Sequence, residues 1–244
     1  MSKFLIYYIA IYKQYRPYLN FSINSLKRTD YNGKILVISD FRYKKKGVKN
    51  IVIKTEEALG LKLPGTILKT RISKYYNLKK YKFVIHLDSD VIVNNSQSLL
   101  KYLSEISTDK VYIQKHHREN MSSRWVSGFL SPEEKKKYMN FNPYCAGIFA
   151  VPINSFGLKF LDSWRNEIKK PEYPPRTNND QAALNAIIFR KYKEQIEYIN
   201  ASFYRLRRTN IQEMNQLYEE SIFVHFKRRK KFMKTYYLNI TIKK

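Results

Sequence analysis

The chain has 244 residues, 43% of them hydrophobic, which suffices for one substantial core and argues against a disordered polymer. No apolar run approaches the roughly 18 residues of a helical membrane span, and the lone Cys145 rules out an intramolecular disulfide and points to a reducing, cytoplasmic setting. A net charge of +26 favours polyanionic partners, whether nucleic acid, an anionic membrane surface or phosphate-bearing substrates, although an A/T-rich coding sequence explains part of the Lys excess.

Phe4 to Tyr12 is apolar, Tyr-rich and without a small-x-small cleavage site, so it reads as a first strand rather than a signal peptide. Pro17 predicts a helix running to about Leu26. Lys34 to Ser39 is a second buried strand ended by Asp40, and Asn50 to Lys54 is a short third. Leu63-Pro64-Gly65 breaks the chain before a helix from Thr66 to Asn77, with Leu68, Ile72 and Tyr75 on its apolar face and Arg71 and Lys74 off it.

Tyr81 to Asn95, YKFVIHLDSDVIVNN, is the stretch around which the rest is organised. Its buried-strand pattern stops at Asp88-Ser89-Asp90, and unpaired buried charge is costly, so the two carboxylates need a partner. A divalent cation held by oxygen ligands supplies one, at the strand end where open α/β sheets bind ligands. The competing explanation is a capped strand end with solvated charges.

Beyond it the pattern predicts a helix over Ser98 to Ile106, a strand over Lys110 to Gln114 and an irregular polar and aromatic loop over Asn120 to Lys137. A strand follows over Pro143 to Pro152, in which Ala146-Gly147 allows close backbone approach to a ligand. Asn154 to Ile168 reads as an amphipathic helix, Pro171 to Pro175 as a stiff loop, and Asn178-Asn179-Asp180-Gln181 as the opening of another helix. Glu197 to Asn200 and Ser221 to Phe226 read as late strands, separated by the basic aromatic run Phe203 to Arg208. The expected architecture is a single α/β domain, Rossmann-like, with a mixed, mostly parallel sheet flanked by helices.

In this order the pieces resemble the GT-A-type glycosyltransferases. The marks are the N-terminal strand, Asp88-Ser89-Asp90, Cys145-Ala146-Gly147, Asn179-Asp180-Gln181 before Leu184-Asn185, and His225-Phe226 followed by Lys231. The closest pattern is that of glycogenin and the bacterial glycan galactosyl- and glucosyltransferases, the family-eight-like group, over Phe4 to about Lys231. The resemblance implies a glycosyltransferase domain over residues 1–226 with a basic extension over 227–244. It implies Mn²⁺ or Mg²⁺ and a nucleotide-diphosphate-sugar donor, UDP-linked in the first instance, with a hexose-type sugar passed to a hydroxyl on a glycan, lipid-linked or protein acceptor.

Carried over by position, Asp88, Asp90 and His225 would be metal ligands. Ile9, Ala10, Ile11, Tyr12 and Tyr15 would cradle the base, Arg71, Asp88, Ser89 and Lys231 would serve the rest of the nucleotide, and Ala146 and Gly147 would face the donor sugar. Asp180 and Gln181 would stand at the reacting centre. Two departures touch donor binding: Cys145 stands where the family motif has Asn, and charged residues follow His225-Phe226 where a glycine is usual. The rival readings are a basic nucleic-acid-binding module, supported by charge and interleaved aromatics, and a metal-dependent nucleotidyltransferase using the same carboxylates. The basic C-terminal segment reads equally as a solvated tail or as a dock for an anionic membrane.

Overall fold

A computed structural model describes residues 3–54, 64–116, 127–171, 179–203, 211–226 and 230–242. Strands β1 (Phe4–Ala10), β2 (Lys34–Ser39), β3 (Val48–Val52), β4 (Phe83–Leu87), β6 (Val111–Lys115), β7 (Tyr144–Pro152) and β8 (Ile196–Tyr198) form one sheet in the order β3-β2-β1-β4-β7-β6-β8. Strands β1, β2, β3 and β4 run parallel, as do β6 and β8, while β7 lies antiparallel between β4 and β6. Every residue of β1, β4 and β7 is buried. This is why those strands read as continuous apolar runs rather than alternating ones.

Helices cover both faces. On one side α1 (Arg16–Leu26) and α4 (Leu99–Glu105) pack Leu19, Ile23, Leu99 and Leu103 against Ile6, Tyr8, Phe83 and Ile85. On the other, α6 (Ser155–Ile168) and α7 (Asn179–Ile187) pack Phe160, Trp164 and Leu184 against Leu5, Tyr7, Val84 and Phe149. Asn154 caps α6, its side chain accepting from the Gly157 amide.

A second sheet of three strands, β5 (Val91–Val93), β10 (Phe223–His225) and β9 (Ala201–Phe203), sits beside the first. Helix α8 (Ile211–Glu220) leads into β10. The basic C-terminal segment is not a free tail over its described part: residues Lys230–Ile242 form α9, burying Met233 and Tyr236 with Phe226 and Val224. Among the described residues no helix is long and apolar enough to cross a membrane.

Two expectations are corrected. The single helix over Thr66 to Asn77 is two short ones, α2 (Pro64–Leu68) and α3 (Ile72–Tyr75), because Arg71 adopts φ −109°, ψ 16° and the turn before it sends Lys69 inward. The second half of the loop over Asn120 to Lys137 is instead helical, α5 (Pro132–Tyr138), started by a full capping box between Ser131 and Glu134; the loop's first part, residues 120–126, lies outside the described residues. The stiff loop expected over Pro171 to Pro175 and the basic aromatic run Phe203 to Arg208 also fall largely outside them, at 172–178 and 204–210.

Candidate active site

Asp88-Ser89-Asp90 forms the turn between β4 and β5, at the C-terminal edge of the parallel strands. The second sheet explains how a residue more than a hundred positions away arrives there. Strand β10 pairs antiparallel with β5 so that His225 lies opposite Val91, and the Phe226 amide donates to the Asp90 carbonyl at 2.9 Å. His225 Nε2 is then 3.2 Å from Asp90 Oδ1 and 3.9 Å from Asp88 Oδ2. One ligand atom from each of Asp88, Asp90 and His225 falls within 4.8 Å of the others.

The floor of this cluster is β7. Its pairing with β6 jumps from Ile113–Phe149 to Gln114–Cys145, an irregularity that leaves Ala146, Gly147 and Ile148 out of register with β6. The Gly147 carbonyl accepts the Asp88 amide at 2.8 Å, and the Ala146 carbonyl accepts from Lys69 Nζ at 3.0 Å. Gly147 also has to lack a side chain: a Cβ there would lie 2.3 Å from His225 Cε1, 2.8 Å from its Nδ1 and 3.1 Å from Asp88 Oδ2. The same irregularity turns Gln114 towards the site. Its Oε1 accepts from His225 Nδ1 at 3.0 Å, which leaves Nε2 directed at the two carboxylates.

Lys69 ties the cluster to α7. Its ammonium lies 3.0 Å from Asp88 Oδ1 and 3.1 Å from Asp180 Oδ2, and with the Ala146 carbonyl these acceptors use all its protons. Asp180 is further fixed by the Gln181 amide on Oδ1 and by the Trp164 indole on its carbonyl. Gln181 is buried beside it, and Asn185, one turn on, accepts from the Tyr144 amide and donates to the Gln181 and Tyr144 carbonyls.

Charge follows from this geometry. Burial would neutralise Asp88, but the Lys69 ammonium, the His86 hydrogen bond and the His225 ring outweigh it and hold the carboxyl well below the usual range. Burial also works against Lys69, which Asp88 and then Asp180 reverse, raising it above its ordinary value. Burial pulls His225 down, yet Asp90 overrides it and raises the ring to about 10. Two carboxylates and one imidazole, once that ring gives up its Nε2 proton, are a donor set suited to Mn²⁺ or Mg²⁺. The residues present fit such an ion.

The remaining sequence-derived candidates are placed as follows. Ile9, Ala10 and Ile11 are buried at the end of β1. Tyr12 follows at φ 77°, the one positive-φ non-glycine among the described residues; its ring is exposed and its amide donates to Asp40 Oδ1 at 2.9 Å. Tyr15 is half-buried beside Tyr18, Ser89 is buried in the turn, Arg71 precedes α3, and Lys231 is exposed in the first turn of α9. Sequence reading missed Lys69, His86 and Gln114. Strand alternation offered a signal for His86, which shares a face with Asp88; Lys69 follows no apolar period and gave none.

The same fold occurs in known structures. A galactosyltransferase, LgtC, in complex with donor and acceptor sugar analogs, superposes over 97% of this chain and 96% of its own, with a TM-score of 0.61 and 13% identity. The fold is that of the GT-A glycosyltransferases. A glycosyltransferase of Streptococcus pneumoniae TIGR4, GlyE, matches over 99% of this chain and 62% of its own, with a TM-score of 0.58 and 14% identity. An active-site mutant of LgtC matches over 98% and 95%, again at 0.58 and 14%. No protein-family model and no curated protein sequence matches the chain.

Proposed function

We propose that this protein is a metal-dependent glycosyltransferase, moving a hexose-type sugar from a nucleotide-diphosphate-sugar, UDP-linked in the first instance, to a hydroxyl on a glycan, lipid-linked or protein acceptor. The observation that carries the reading is the meeting of Asp88, Asp90 and His225 at the C-terminal edge of a GT-A sheet. The cation they would hold supplies charge stabilisation for the departing nucleoside diphosphate.

The chain's own groups do the rest. Gly147 gives the donor a floor without a side chain, and Lys69 holds Asp180 beside Asp88 so that the two carboxylates do not repel apart. Asp180, packed at the start of α7, faces the reacting centre with Gln181 supporting it. The exposed Tyr12, at the ends of β1 and β2, offers a ring to the base, and Tyr15, Arg71 and Lys231 would serve the nucleotide. The basic face of α9, with Lys231, Lys234 and Leu238 exposed, suits an anionic membrane that carries the acceptor.

The test is a screen of nucleotide sugars with Mn²⁺, reading donor hydrolysis and thermal shift, run on the full chain and on Asp90→Ala. Metal-dependent donor binding in the parent chain and its loss in the variant are expected. Equal donor affinity in the variant with and without metal, or salt-sensitive oligonucleotide binding with no nucleotide-sugar turnover, contradicts the reading. Co-sedimentation with liposomes that is indifferent to anionic lipid would end the membrane component alone.

A further inference from the structure

His86 stands on β4 two residues before Asp88, so strand alternation sends both side chains to one face. Its ring is fully buried, with the rings of Tyr7 and Phe149 each 5.0 Å away. Nε2 lies 3.0 Å from Asp88 Oδ1, whereas Nδ1 is the one buried side-chain polar atom among the described residues without a hydrogen-bond partner. A proton on Nδ1 would be a buried donor with no acceptor, and would leave the bare Nε2 lone pair facing a carboxylate oxygen. The ring's proton therefore belongs on Nε2, where a carboxylate accepts it.

Two donors then converge on one oxygen, since Lys69 Nζ also reaches Asp88 Oδ1 at 3.0 Å. The other oxygen, Oδ2, is the one that faces His225 Nε2 and the open side of Gly147. A phenylalanine would fill the slot in FVIHL between Tyr7 and Phe149 without the cost of burying an imidazole. The donor atom is what distinguishes the residue present.

We infer that His86 is a positioning residue of the cation site: by donating Nε2–H to Asp88 Oδ1 it engages the inner oxygen together with Lys69, and leaves Oδ2 as the single Asp88 ligand atom. The inference rests on the cation-binding reading above. It assigns His86 the role of an outer-shell partner, whose loss weakens metal binding without touching the ligands themselves.

The test uses Mn²⁺ alone, with the free ion counted by electron paramagnetic resonance, on the full chain, His86→Phe and His86→Gln. Phenylalanine keeps the ring and removes the donor; glutamine restores an N–H at a similar reach. His86→Phe is expected to lose about tenfold to hundredfold in Mn²⁺ affinity while melting no lower than the parent, and His86→Gln to recover most of the affinity. Parent-like Mn²⁺ affinity in His86→Phe, or equal losses in both variants, overturns the inference and leaves the cation site standing. A parent chain that does not bind Mn²⁺ removes the cation site and the inference with it. Side-chain nitrogen NMR on the parent chain tests the hydrogen bond whatever the variants do: a proton on Nε2 is expected, and a ring carrying its one proton on Nδ1 overturns the assignment.

Discussion

Gly147→Ala puts the geometry of the site to its sharpest trial. The added Cβ would stand 2.3 Å from His225 Cε1, and carbon atoms in contact settle at about 3.5 Å, so the ring has to retreat by about 1.2 Å. Metal-ligand distances tolerate only about 0.2 Å. Retreat is obstructed on two sides: Gln114 holds Nδ1 at 3.0 Å, and the backbone of His225 is paired to Val91. Asp88 Oδ2, at 3.1 Å from the same Cβ, has to give way as well. Two of the three ligands are displaced together, so the loss of Mn²⁺ affinity should exceed the roughly tenfold to hundredfold cost of an outer-shell change. Isothermal titration with Mn²⁺ reads this directly, with far-ultraviolet circular dichroism showing that the sheet is intact. A folded Gly147→Ala protein that binds Mn²⁺ as tightly as its parent would refute the placement of His225 over Gly147.

Lys69→Met removes the one ammonium shared by Asp88 and Asp180 and should destabilise the fold by about 3 kcal/mol, the low end for a broken buried pair because Asp88 retains 29% side-chain exposure; urea unfolding measures it, and an unchanged midpoint contradicts the bridge. Asp180→Ala should keep metal-dependent donor binding and lose turnover, as read by thermal shift alongside donor hydrolysis; full turnover would remove Asp180 from the reacting centre. Glu134, hydrogen-bonded to Arg190 at 2.6 and 2.8 Å, has its carboxyl lowered from 4.5 to about 2. A depressed carboxyl stabilises above its unfolded value and loses that contribution as pH falls, so about 1 kcal/mol should disappear between roughly pH 4.5 and 2. Arg190→Met should flatten that part of the stability curve, and a curve parallel to the parent's would show that the pair does not stabilise the fold.

The sheet was legible because its strands are buried on both faces and so read as unbroken apolar runs, and Asp88-Ser89-Asp90 stood out as charge where such a run stops. His225 was legible only as one of two readings, since its strand is three residues long and its meaning comes from pairing with Val91, a contact that no local pattern encodes. Lys69 was hidden for a related reason. A helix-period reading carries Thr66 to Asn77 straight through, whereas the chain interrupts the helix at Lys69–Arg71 and turns a lysine inward to reach carboxylates from two distant elements. Helix α5 was a different case: Ser131 and Glu134 spell a capping box in the sequence itself, and the surrounding polar and aromatic residues obscured it.

The Asn94 side chain follows β5 directly, and it fastens three late parts of the chain to the turn bearing the acidic pair. Its amide donates to the Leu217 and Ser221 carbonyls, and its oxygen accepts from the Tyr236 hydroxyl of α9 at 2.9 Å. Tyr237 adds a ring contact with Phe21 at 5.5 Å, so the terminal helix is anchored to α1 as well. A load applied to the outside of α9, by a docked surface or by removing that helix, would thus be felt one residue away from Val93, giving α9 mechanical purchase on the strand that follows Asp88 and Asp90.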